Sequence, residues 1–115
     1  ILTSLDAKQT KKYYNQKNIS LILKKYCVAA KKNGLDGIVC SPNEIRIVRK
    51  LLGKNFLIIT PGIRMSGNLK DDDQKRVEGP KKAIEMGANY LVIGRPITQS
   101  KNPLKTIKEI NKSIL

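Results

Sequence analysis

Two stretches of the chain set a glycine and an arginine directly behind an apolar run. LIITPGIR, residues 57–64, ends on Gly62-Ile63-Arg64; YLVIGRPITQS, residues 90–100, carries Gly94-Arg95 in its middle. Glycine lets backbone N–H groups come close to a ligand oxygen, and a guanidinium offers a planar fork matched to phosphate. Arg64, Gly94 and Arg95 are therefore candidate phosphate ligands. The bland reading of Arg95 is a surface arginine paired with a helix carboxylate. Thr3, behind the first short apolar run, either fills space at a strand end or touches the ligand.

Other chemistry is poorly represented. The chain has no histidine, and twelve residues separate Cys27 from Cys40, which excludes Cys-x-x-Cys redox chemistry and the usual zinc spacings. Cys27 falls on an apolar helical pattern and Cys40 at a strand end; both read as reduced packing residues of a cytosolic protein. Asp71-Asp72-Asp73 invites a metal or an acid/base pair. Three consecutive loop residues cannot all face one ion, and a solvated loop with Asp73 capping a helix is the better reading. No metal site is expected.

These residues need elements to hold them. Four continuous apolar runs, at 1–3, 37–40, 56–60 and 90–93, have the character of parallel strands covered on both faces. Helical patterns lie between them with readable ends. Residues 19–33 stop at Gly34; Ser41-Pro42-Asn43-Glu44 forms a capping box that opens a helix to Leu52, closed by Gly53. Pro80 opens a helix that Gly87 closes, and Asn102-Pro103 opens the last, to Ile114. Asp36 reads as a turn residue, and Tyr13-Tyr14 as an edge cover.

Alternating strands and helices imply right-handed crossovers and a parallel sheet. Either an open doubly wound sheet or half of an eight-stranded (β/α) barrel satisfies the pattern. Barrels run to about 250 residues, so four units in 115 residues make about half of one. In both architectures ligands sit at the C-terminal strand ends, where the Gly/Arg loops fall. Residues 97–100 would add the short extra turn of a barrel phosphate site. The connection 61–79 lacks apolar periodicity and has the length of a lid or binding loop.

Composition narrows the class. Forty per cent hydrophobic residues is ordinary for a folded protein. No run reaches the roughly 18 apolar residues of a membrane span, and no signal peptide opens the chain. The first residue is not Met, and Ile1-Leu2-Thr3 already has the character of a strand end, as expected of a fragment. The net charge of +14 raises nucleic-acid binding as an alternative. Eighteen lysines scattered over helices, with five arginines and one Phe and four Tyr for stacking, argue against it.

LTSL (2–5), GLDGIVCS (34–41), TPGIR (60–64), DQKR (73–76) and IGRPITQS (93–100) together resemble the C-terminal half of bacterial orotidine 5′-phosphate decarboxylase. The resemblance covers essentially the whole chain, 1–115, and implies the last four βα units of a (β/α)8 TIM barrel. It implies loss of CO2 from orotidine 5′-phosphate to give uridine 5′-phosphate, in pyrimidine biosynthesis, without metal or organic cofactor, by a homodimer. By the same resemblance, Thr3 would bond the pyrimidine, Gln74 would bridge base and phosphate, and Arg64, Gly94 and Arg95 would hold the phosphate. The family's catalytic Lys/Asp cluster matches nothing here and is expected upstream, so a fragment would be inactive alone. The rivals are another phosphate-binding barrel, of ribulose-phosphate epimerase type, and a basic nucleic-acid-binding module.

Overall fold

In a computed structural model of the chain, residues 7–15, 18–64 and 79–115 are described. The strand expected at 1–3 and most of the long connection lie outside them, as do Thr3, Asp71–Asp73 and Gln74. Helix α1, Ala7–Tyr14, carries no sequence signature, since AKQTKKYY has no apolar stripe. Tyr14 meets Tyr26 edge-on, ring centroids 6.5 Å apart.

Local signals set most boundaries. Helix α2, Ile19–Lys32, begins at Asn18, whose side chain accepts the Ser20 and Leu21 N–H groups at 3.0 and 3.4 Å. It stops at Gly34, left-handed at φ 71°, while the Leu35 N–H reaches back to the Ala30 carbonyl at 3.1 Å. Strand β1, Gly37–Val39, follows, then a 3-10 turn, Pro42–Glu44, that runs into α3, Ile45–Leu52. The capping box is present, with the Ser41 N–H donating to the Glu44 carboxylate at 2.9 Å. Its first turn is the tighter 3-10 form. Next come β2 (Leu57–Pro61), α4 (Pro80–Glu85), β3 (Tyr90–Val92), α5 (Arg95–Thr98) and α6 (Pro103–Ile114).

The strands pair in parallel in the order β1-β2-β3, with Ile38 opposite Ile58 and Ile59 opposite Tyr90. Period-two alternation then sorts the side chains. Ile38, Ile58 and Leu91 pack with Leu23, Cys27 and Ala30 of α2, Ile45, Val48 and Leu52 of α3, and Ala83 of α4. Val39, Ile59 and Tyr90 form a row on the opposite face, where Val39 is 60% exposed, Tyr90 59% and Val92 53%.

This one-sidedness decides between the two architectures. A doubly wound sheet carries helices on both faces and reverses its strand order at a switch point; a barrel keeps sequential order with all helices outside. The described strands are sequential and their helices share one face. The bare apolar row is the inner wall of a (β/α)8 barrel, of which this chain supplies one portion.

Candidate functional site

The C-terminal edge of the sheet brings two of the expected loops side by side. Pro61 pairs with Val92 at the last register position, so Gly62–Arg64 and Ile93–Arg95 leave neighbouring strands together. Gly62 turns the chain at φ 77°, a region open mainly to glycine. Ile63 then buries its side chain in the core, which fixes the loop, and Arg64 is exposed.

Gly94 and Arg95 sit one residue apart in role. Gly94 caps α5, its carbonyl accepting the Ile97 and Thr98 N–H groups at 2.9 and 3.1 Å, and Arg95 is the first helical residue. The extra turn expected at 97–100 thus starts two residues earlier and contains the arginine. A Cβ on Gly94 would meet nothing within 4 Å, so the space above it is open. The Arg95 guanidinium is exposed and makes no hydrogen bond or ion pair with a described residue. Ser100 and Thr106 hydroxyls, 2.7 Å apart, join the end of this segment to α6. Two arginines on adjacent loops, beside an uncovered glycine, can hold a dianion through charge-assisted hydrogen bonds. Thr3 and Gln74 lie outside the described residues.

A polar cluster at the opposite edge was missed from sequence. Arg49, on α3, donates to the carbonyls of Gly53 (2.7 Å), Lys54 (3.1 Å), Phe56 (2.6 Å) and Gly87 (3.2 Å) and to the Asn89 side chain (2.7 Å). Asn89 in turn accepts the Ile58 N–H at 2.9 Å and donates its own N–H to the Ile58 carbonyl at 2.9 Å. The one available signal is an arginine one turn before the Gly53 stop, where a cation can reach the final carbonyls.

The cysteines behave as packing groups. Both are buried free thiols. Burial raises the Cys27 pKa, with the Glu44 charge adding to it. Burial pushes Cys40 up to about 12, again helped by Glu44. The Thr60 hydroxyl beside Cys40 offsets a little of this, yet the contact falls short of a proper hydrogen bond, and Thr60 Oγ1 has no partner among the described residues. Among the described residues no three His, Cys, Asp or Glu side chains gather as a metal site. No helix there is long and apolar enough to cross a membrane.

Sequential parallel strands, helices on one face and two Gly/Arg loops leaving the C-terminal edge define a (β/α)-barrel protein. The profile of the Orotidine 5'-phosphate decarboxylase / HUMPS family matches residues 1–110, and the chain belongs to that family. It is 49% identical over 114 residues to orotidine 5'-phosphate decarboxylase of Coxiella burnetii (strain RSA 331 / Henzerling II), covering 99% of this chain and 48% of that protein. The enzyme of the same name from Glaesserella parasuis is 57% identical over 81 residues, 70% of this chain and 35% of that one. The crystal structure of orotidine 5'-phosphate decarboxylase from Lactobacillus acidophilus matches with a TM-score of 0.79 at 30% identity, covering 99% of this chain and 46% of that chain. The chain thus spans about half the length of the Coxiella relative.

Proposed function

We propose that this chain is the C-terminal half of an orotidine 5′-phosphate decarboxylase and serves as its substrate-gripping portion. The reading rests on the pairing of Pro61 with Val92, which sends both Gly/Arg loops off one sheet edge in a chain 49% identical to a named decarboxylase. Arg64, Gly94 and Arg95 hold the 5′-phosphate, Thr3 bonds the pyrimidine, and Gln74 links base to phosphate. The kinship favours this over an epimerase-type barrel or a nucleic-acid-binding module.

In the whole barrel the reaction breaks the bond between ring carbon and carboxylate, releases CO2 and protonates the carbon. Lysine charge supplied by the other half stabilises the developing carbanion, and carboxylates there crowd the leaving group. The role of this chain is remote from that bond. Binding energy gathered at the phosphate orders the site around the reacting carbon and keeps water out. The complete protein works in the cytoplasm as a homodimer, without metal or organic cofactor.

The test is Arg95→Ala in the full-length protein. Its affinity for uridine 5′-phosphate should fall on the order of a hundredfold, as for loss of one charge-assisted bidentate contact of about 3 kcal/mol, with uridine affinity nearly unchanged. Equal losses for nucleotide and nucleoside would defeat the phosphate assignment.

A further inference from the structure

We infer that Arg49 and Asn89 form a register lock that positions the two arginine loops at the far end of the sheet. The inference rests on the phosphate reading above and extends it to residues that touch no ligand.

The lock joins the two strands that matter. Arg49 bonds Gly53, Lys54 and Phe56, which lead into β2, and Gly87 and Asn89, which lead into β3. β2 and β3 are the strands whose opposite ends carry Arg64 and Arg95. Asn89 completes the bridge by exchanging two bonds with Ile58, one through its backbone and one through its side chain. Gly87 makes room for it: a Cβ there would stand 3.1 Å from Arg49 Nε and 3.2 Å from its Cγ.

Register needs such a device here. In most sheets a slip of one residue turns apolar side chains to solvent, and that penalty fixes the pairing. Residues 57–59 and 90–93 are apolar on both faces, so the pattern distinguishes poorly between neighbouring registers. Each step of slip moves one strand past the other by about 3.3 Å, enough to separate guanidiniums that share a phosphate. Only a planar fork with five N–H groups reaches both entering loops at once; lysine offers a single point of attachment. Arg49 and Asn89 are positioning residues.

Calorimetric titration of the full-length protein with uridine 5′-phosphate and with uridine tests this. The quantity read is the preference for nucleotide over nucleoside. Arg49→Lys should lower it on the order of tenfold while uridine affinity stays the same. In an Arg95→Ala background the same change should have little further effect, because its route to the phosphate is gone. Asn89→Leu, which keeps the size and removes the acceptor, should behave in the same way. An unchanged preference in Arg49→Lys, with only a lower unfolding midpoint, overturns the lock and leaves the phosphate reading intact. No loss of preference in Arg95→Ala alone overturns the phosphate reading itself, and the lock with it. Failure of both Arg49→Lys and Asn89→Leu to fold also overturns it, since the pair would then serve folding rather than placement.

Discussion

The two ends of one three-stranded sheet use the same residue types in opposite ways. At the N-terminal end, half-buried Arg49 has a carbonyl or amide oxygen for each of its N–H groups and lies against Gly87. At the C-terminal end, exposed Arg95 bonds no described residue and lies beside Gly94, above which nothing stands within 4 Å. A guanidinium leaves water cheaply only when protein oxygens replace its hydration. Matched arginine is structure, and unmatched arginine at a strand mouth is available to an anion. Residue type does not decide which; the end of the strand and the bonding state do.

The largest expected effect would break or keep that comparison outright. Arg49→Ala strands four backbone carbonyls and the Asn89 side chain, so unfolding free energy should fall by about 3 kcal/mol. Arg95→Ala should change it by less than about 0.5 kcal/mol. Urea unfolding of both variants in the full-length protein decides, and similar losses would erase the distinction between the ends.

A glycine pair sharpens the same point with a smaller effect. A Cβ on Gly37 would lie 2.6 Å from the Leu57 Cβ and 2.7 Å from its carbonyl oxygen, because β1 and β2 approach closely there. Gly37→Ala should therefore cost about 2 kcal/mol as the strands are forced apart. Gly94→Ala meets open space and should leave the unfolding midpoint unmoved, while weakening uridine 5′-phosphate binding at the proposed phosphate site. A loss of stability in Gly94→Ala to match Gly37→Ala would show that both glycines serve packing.

What was legible in the sequence follows from the range of the interactions. Gly34, Gly53 and Gly87 marked helix ends because the left-handed turn and the back-bonded carbonyls are set within a few residues. Asn102 was legible for the same reason: its side chain accepts the Lys105 N–H at 3.0 Å, three residues on. The placement of the two Gly/Arg loops at one sheet edge was legible because each directly follows a continuous apolar run, and those runs pair as parallel strands. Arg49 was not, since Gly87 and Asn89 lie 38 and 40 positions away, and four of its five partner groups are backbone oxygens, which every residue carries. The steric reason for Gly37 was equally hidden, because Leu57 on the neighbouring strand imposes it.

A last comparison asks whether position at the C-terminal edge is enough, or whether the face of the sheet also counts. Cys40 follows β1 at the same edge as the arginine loops, yet it is only 2% exposed and packs among the helices. Burial lifts its pKa from 9.0 to about 12. The unfolded thiol ionises near its ordinary value, whereas the folded one keeps its proton until about 12. Stability from this group is therefore whole below pH 9.0, falls as pH rises toward about 12, and is level beyond. Cys40→Ala should unfold at a lower urea concentration at neutral pH from lost packing, and should lose less stability than the parent on going to alkaline pH. Taking the difference between the two proteins under reducing conditions cancels the lysines and tyrosines they share. Parallel pH profiles would mean that the folded thiol ionises normally and reaches the barrel mouth. Divergent profiles would place the Cys40 thiol in the core between sheet and helices, away from the barrel mouth.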